Sequence, residues 1–133
     1  MIRTTLTMIA LLALAACGAE VTAPADFLGR YELETLNAKK LPVDRNVGGA
    51  IFKVTAGFYE IKADKTFTHG LTVTYVENGQ TVSEEDVGSG LWSLTGDIIR
   101  FGYASGALSD KGTIEGELLS MTTSDGTQLT FRR

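Results

Sequence analysis

From residue 27 onward apolar and polar side chains alternate with period two, and no helix-period run longer than a turn or two interrupts them. Such alternation sends successive side chains to opposite faces of a strand, so each apolar set marks one buried face. Residues 28–36 read as a first strand with Tyr31, Leu33 and Thr35 on one face. Residues 50–55 align Phe52 with Val54, and a bend at Gly57 leads into 58–62. Residues 67–76 carry Leu71, Val73 and Tyr75 together. Residues 81–87 form a more polar strand, which 91–94 resumes after Gly88-Ser89-Gly90, a triplet that reads as a bulge. Residues 97–103 align Ile99, Phe101 and Tyr103, and 112–122 and 129–132 bring the total to about eight strands.

The segments between strands carry turn chemistry. Glu77-Asn78-Gly79-Gln80 is the strongest hairpin signal, because Asn-Gly readily adopts the positive φ angles of a type I′ turn. Ala63-Asp64-Lys65-Thr66, Thr95-Gly96 and Ser124-Asp125-Gly126-Thr127 read as tight turns, 36–43 as a kinked connection, and 44–49 and 104–111 as loops. Each strand then lies beside its predecessor. Such a meander leaves two open edges unless its first and last strands pair. The expected fold is all-β, an antiparallel up-and-down barrel of about eight strands, with a two-sheet β-sandwich as the alternative.

The first 26 residues follow another pattern. Residues 1–5 carry Arg3, and 6–16 are apolar except for Thr7. That run is about half the ~20 residues a membrane-spanning helix needs, and it has the length and flanks of a signal-peptide core. It stops at the only cysteine, in Leu14-Ala15-Ala16-Cys17, which looks like a bacterial lipobox. The residue types suit that chemistry. Small residues admit the peptidase to the backbone, a branched apolar residue three places upstream fills its pocket, and the thiol accepts a diacylglyceryl group. A lone thiol can make no internal disulfide. The expected organisation is a lipoprotein signal peptide over 1–16, lipidated Cys17 and a small polar tether over 17–26, and the barrel over 27–133. Each buried methylene contributes about 0.8 kcal/mol, so one acyl chain holds marginally and two or three hold firmly. The membrane is then the expected partner at this end, and the cell envelope the expected location. Gly18 after the cysteine leaves the outer membrane, facing the periplasm, as the destination in a Gram-negative host. Residues 18–25, fully extended, reach at most roughly 25–29 Å, enough to stand the body clear of the headgroups.

Composition narrows the partners. Without residues 1–16 the chain keeps 11 Lys and Arg against 16 Asp and Glu, a net charge of −5. That balance argues against nucleic acid, since phosphate binding needs concentrated cations, and Lys39-Lys40 and Arg132-Arg133 are too short for a basic patch. No cofactor is expected. One histidine, His69, and a lipidated cysteine cannot furnish a zinc site, and no Gly-rich loop leads a strand into a helix. A Ser-His-Asp triad would have to use His69, which reads as a rim histidine, so the chain is not expected to be an enzyme. Asp64, Asp97, Asp110 and Asp125 fall at turns, where Asp caps the local backbone. Glu84-Glu85-Asp86 is the densest acidic run; Glu84 and Asp86 share a strand face and Glu85 takes the other, a solvated arrangement that discourages edge aggregation.

A cavity is the remaining source of function. Phe52, Phe67, Tyr75, Trp92 and Phe101, with Phe131, are candidates for the barrel interior and for contact with a ligand. An eight-stranded barrel can be filled by side chains or hold one small ligand. Short, aromatic strands favour a mostly filled one.

These features together resemble the small lipocalin-like barrel domains found on bacterial lipoproteins. Gly29-Arg30-Tyr31 is similar to the lipocalin Gly-x-Trp, with Tyr31 in place of Trp. Leu36-Asn37-Ala38-Lys39-Lys40-Leu41-Pro42 is similar to the Asn-Gly-x-x-Leu-Pro of the bacterial domains, and Gly90-Leu91-Trp92 with Gly96-Asp97 to their Gly-x-Trp … Gly-Asp hairpin. Leu129-Thr130-Phe131-Arg132 matches their basic last strand. In lipocalins a late Arg covers the early aromatic and plugs one barrel end. The resemblance implies that Arg132 or Arg133, Arg132 foremost, does so over Tyr31, a cation–ring contact worth about 0.5–2 kcal/mol. The expected function is a non-catalytic, membrane-anchored binding module for a small hydrophobic ligand or envelope component. The alternative is an inhibitor-like or structural accessory that contacts an envelope protein through the loops 44–49 and 104–111.

Overall fold

The computed structural model describes residues 27–104 and 109–133; the signal peptide, Cys17 and the tether read from residues 1–26 lie outside the described residues. Ten strands follow in order: β1 (Gly29–Leu36), β2 (Lys39–Lys40), β3 (Val43–Val47), β4 (Ala50–Ile61), β5 (Thr66–Glu77), β6 (Gln80–Thr95), β7 (Ile98–Tyr103), β8 (Asp110–Glu115), β9 (Leu118–Thr122) and β10 (Gln128–Arg132). From β4 to β10 each strand pairs antiparallel with the next.

β1 closes the ladder. Leu33 pairs with Phe131 and Leu36 with Leu129 of β10, while Gly29 to Glu32 pair with Ile61 to Phe58 of β4. The chain is therefore an antiparallel up-and-down barrel of eight strands, β1 and β4–β10, and not a two-sheet sandwich. β2 and β3 are additions: β2 folds back on β1, and β3 extends the outer half of β4. A cis Leu41–Pro42 peptide separates them.

Several expected boundaries shift. The loop expected at 44–49 is mostly β3 with a Gly48-Gly49 turn, both glycines at positive φ. The two strands expected over 50–62 are one, with a register shift between Val54 and Ala56. Gly57 lies inside β4 without breaking it, because Leu33 packs where its side chain would stand. Gly88-Ser89-Gly90 is no bulge, since β6 keeps unbroken register with β5 from Gln80 to Leu91. Its glycines make room instead: a Cβ on Gly90 would lie 2.0 Å from the Gly102 carbonyl oxygen, and one on Gly88 would meet the His69 ring. The single strand expected over 112–122 is two, joined at Gly116-Glu117 with Gly116 at φ 60°. One strand too many and one too few leave the expected eight.

The interior is filled by rings. Tyr31, Phe67, Ile99, Phe101 and Leu119 have no solvent exposure. Tyr59 lies 4.6 Å from Phe101 and 5.2 Å from Phe131, and Phe67 lies 4.8 Å from Phe101, centroid to centroid. Tilted and edge-on pairs of this kind contribute about 0.5–1.5 kcal/mol each beyond their burial.

The turns at 62–65, 96–97 and 116–117 share one end with Phe27 and Arg133, and this end is plugged. The Tyr31 hydroxyl donates to the Phe27 carbonyl (2.7 Å), and Phe27 meets Trp92 edge-on at 5.1 Å. Trp92 donates its indole N–H to the Lys62 carbonyl (2.8 Å) beneath the Lys65 ammonium, 4.3 Å from the ring. The arginine over Tyr31 is Arg133, at 5.8 Å, and it also donates to the Leu28 carbonyl (2.8 Å). Arg132 is not the plug. Phe131 points inward, so period two turns Arg132 outward, where it pairs with Glu34 at 3.1 Å.

The approach of β6 to β7 at Gly90 yields a paired test. Gly90→Ala forces a methyl into a backbone carbonyl and should lower stability by at least about 1–3 kcal/mol. Gly102→Ala, whose Cβ would meet nothing nearer than 3.7 Å, should change it by no more than about 0.5 kcal/mol. Urea unfolding of both variants checks the contrast.

Candidate functional site

The other end of the barrel has an uneven rim, because its strands are unequal. β4, β5 and β6 run 12, 12 and 16 residues, whereas β7–β10 have five or six. The long strands, with β3 alongside, overshoot as a four-stranded wall on one side of the mouth. Register assigns its inward face. Val43 pairs with Val54, Arg45 with Phe52, Val54 with Val73, and Tyr75 with Val82. Since Val43 and Val54 are buried, Arg45, Phe52, Leu71, Val73, Tyr75, Val82, Glu84 and Asp86 share that face.

At the floor of the mouth, a polar cluster rests on the ring stack. Tyr103 donates to the Asp110 carboxylate in a short hydrogen bond. Having spent its proton there, Tyr103 accepts from the Tyr59 hydroxyl at 2.8 Å; Tyr59 also lies 3.4 Å from Asp110. Burial, first of all, pushes both phenols well above their ordinary range, so both remain donors at neutral pH. His69 stacks on Tyr59 at 5.3 Å and meets Tyr103 edge-on at 5.1 Å, with its ring lying over Gly88. Burial lowers the His69 pKa below its usual 6.5, against the opposing pull of Asp86 and Asp110, so the ring is neutral at pH 7.

Across the mouth Arg45 reaches from β3 to the β9–β10 turn. Its Nη2 lies 3.3 Å from Thr127 Oγ1 and 3.5 Å from Asp125 Oδ2. Hydrogen bonds from the Thr123 hydroxyl (2.5 Å) and the Thr127 N–H (3.0 Å) hold Asp125 well below the usual carboxylate range. This contact ties the added strand to the far rim.

The six rings proposed for the interior divide into two groups. Phe67, Phe101 and Phe131 are buried in the stack, and Trp92 is buried at the plug. None of these four faces the mouth. Phe52 and Tyr75 lie beyond the barrel proper, half-buried on the inward wall, edge-on at 5.5 Å, with the Tyr75 hydroxyl donating to Glu84 at 2.8 Å. Only these two could touch a ligand. The sequence reading missed Tyr59, Tyr103 and Asp110. Asp110 reads as a turn cap, yet its carboxylate accepts from Tyr103 and lies 3.4 Å from the Tyr59 hydroxyl. No single-strand pattern signals that cluster, since its members come from β4, β7 and β8. Among the described residues no group of three or more His, Cys, Asp or Glu is placed to hold a metal.

The position of His69 gives a pH prediction. A folded state that holds a histidine below its unfolded pKa binds fewer protons than the unfolded chain, so the associated stability is complete above about pH 6.5 and is lost as pH falls through the folded pKa. Between pH 7 and pH 5 the protein should lose stability, and His69→Gln should flatten that slope. Denaturant midpoints taken across the range read the difference.

No family model matches the chain, and no curated protein matches it. Among solved structures it is similar to an uncharacterized protein from Bacteroides eggerthii DSM 20697, at 15% sequence identity over 81% of this chain and 99% of that one, with a TM-score of 0.45.

Proposed function

We propose that this chain is a lipid-anchored envelope lipoprotein with a lipocalin-like barrel, and that the barrel mouth binds a small, mainly apolar ligand bearing a hydrogen-bonding group. One observation carries the ligand reading. Above the buried ring stack, Phe52, Leu71, Val73 and Tyr75 remain half-exposed on an inward face, and directly below them lie Tyr103, His69 and Asp110. Partly exposed apolar walls over a few convergent polar groups are the usual makeup of a small-molecule site. The ring stack restricts a ligand to the mouth, so it would be shallow and short rather than threaded along the barrel axis. The lipobox Leu14-Ala15-Ala16-Cys17 supports the anchor. The acyl chains would hold the protein at the membrane surface, and the barrel would present the mouth to the periplasm.

Two measurements test the two halves. The chain from Gly18 onward, free of detergent, should bind a fluorescent apolar probe saturably. Val73→Glu, on the inward wall, should weaken binding at least about tenfold, or 1.4 kcal/mol, whereas Val87→Glu, 58% exposed on the outer face, should not. A probe that binds both variants alike, or never saturates, removes the mouth as a site. For the anchor, the native chain should fractionate with membranes and carry an acylated N-terminal Cys17 by mass spectrometry, and Cys17→Ser should release it to the soluble fraction.

A further inference from the structure

We propose that the outer edge of β6 is a strand-addition site for a positively charged, extended peptide segment of a partner protein. β6 pairs with β7 only from Gly90 to Thr95, with one further bond from the Ala104 N–H to the Ser89 carbonyl (3.1 Å). Among the described residues nothing pairs with that edge from Gln80 to Gly88. Among the described residues the Gln80–Gly88 part of β6 has a partner on its β5 side alone.

Hydrogen-bond parity shows what this edge offers. The two-residue turn Asn78-Gly79, with φ of 51° and 78°, makes Glu77 and Gln80 a hydrogen-bonded pair. Along the ladder such pairs alternate with non-bonded ones. Val82, Glu84, Asp86 and Gly88 therefore spend their backbone groups on β5, and Thr81, Ser83, Glu85 and Val87 turn theirs outward. The Ser89 carbonyl bond to Ala104 confirms the phase. Four successive outward N–H and C=O pairs span about seven residues, roughly 23 Å at 3.3 Å each, which is the length of an ordinary strand partner.

Charge selects the occupant. Glu84 and Asp86 flank the edge on the inward face and Glu85 on the outward face. Among the described residues none of the three has an ion-pair partner; Glu84 accepts one hydrogen bond from Tyr75. Carboxylates on both faces repel an acidic strand, including the same edge of a second copy. A strand carrying Lys or Arg on both faces would meet opposite charge on each. The edge of β3 differs. It is five residues long and carries Asp44 and Arg45, so it favours neither sign. Strand addition draws affinity from backbone bonds and specificity from the flanking side chains, and both are present on β6.

The test uses the full chain, 15N-labelled, in a neutral detergent, with a synthetic octapeptide in which pairs of lysines alternate with pairs of valines, so that lysine falls on both faces of the extended strand. Addition should shift the amide signals of Thr81, Ser83, Glu85 and Val87 and slow their hydrogen exchange. Binding should fall at least tenfold for Glu84→Gln/Glu85→Gln/Asp86→Asn, for a peptide N-methylated at alternate residues, and for one with glutamate in place of lysine. Ser83→Pro removes an outward N–H without touching the β5 ladder and should weaken binding while leaving the thermal midpoint nearly unchanged. Shifts confined to the mouth, equal binding of the lysine and glutamate peptides, indifference to N-methylation, or dimerisation of the chain through this edge would each overturn the proposal.

Discussion

The sharing of β1 between two neighbours is the constraint from which the rest follows. Its first half bonds to β4 and its second half to β10. A meander of seven strands would otherwise end in two bare edges, each an invitation to pair with another chain. Closure removes them, and it also sets the perimeter. Eight strands enclose only enough room for side chains or one small ligand, and here the rings of Tyr59, Phe67, Phe101 and Phe131 take it. The packed interior in turn leaves the ends as the places where the molecule can do anything besides stay folded.

The two ends solve different problems. At one, Phe27, Trp92, Tyr31 and Arg133 join apolar contact to satisfied backbone carbonyls, and among the described residues no buried side-chain polar atom lacks a hydrogen-bond partner. At the other, β4–β6 continue past their partners and carry a partly wet apolar face over the Tyr59–Tyr103–Asp110 cluster. The overshoot would be a floppy ribbon as a lone hairpin. β3 broadens it to four strands, and Arg45 ties β3 to Thr127 across the opening. The glycines of β6 belong to the same design. Gly88 and Gly90 let His69 and the Gly102 carbonyl come close enough to join a long strand to a short one without a kink.

The period-two code made the barrel legible from residues alone, and it also placed Glu84 and Asp86 opposite Glu85. It failed where a glycine had two meanings. Gly57, Gly88 and Gly90 read as breaks, yet each accommodates a neighbour from another strand, which no single-strand window can see. Gly116 read as strand interior, yet it is the turn. Alternation explains the plug after the fact, since Phe131 inside requires Arg132 outside and Arg133 inside. The interior rings split between stack and wall because depth along a barrel depends on strand stagger, which is a property of pairs. The tyrosine–aspartate cluster was invisible for the same reason: three strands contribute to it, and none shows it alone.

An even number of barrel strands has a geometric result of its own. β1 departs from the plugged pole and β10 returns to it, which is why Arg133 can bond to the carbonyl of Leu28. Both ends of the described barrel thus emerge together, diametrically opposite the opening. Whatever is joined to the chain before Phe27 or after Arg133 attaches at the sealed pole, away from the Tyr59–Tyr103–Asp110 cluster.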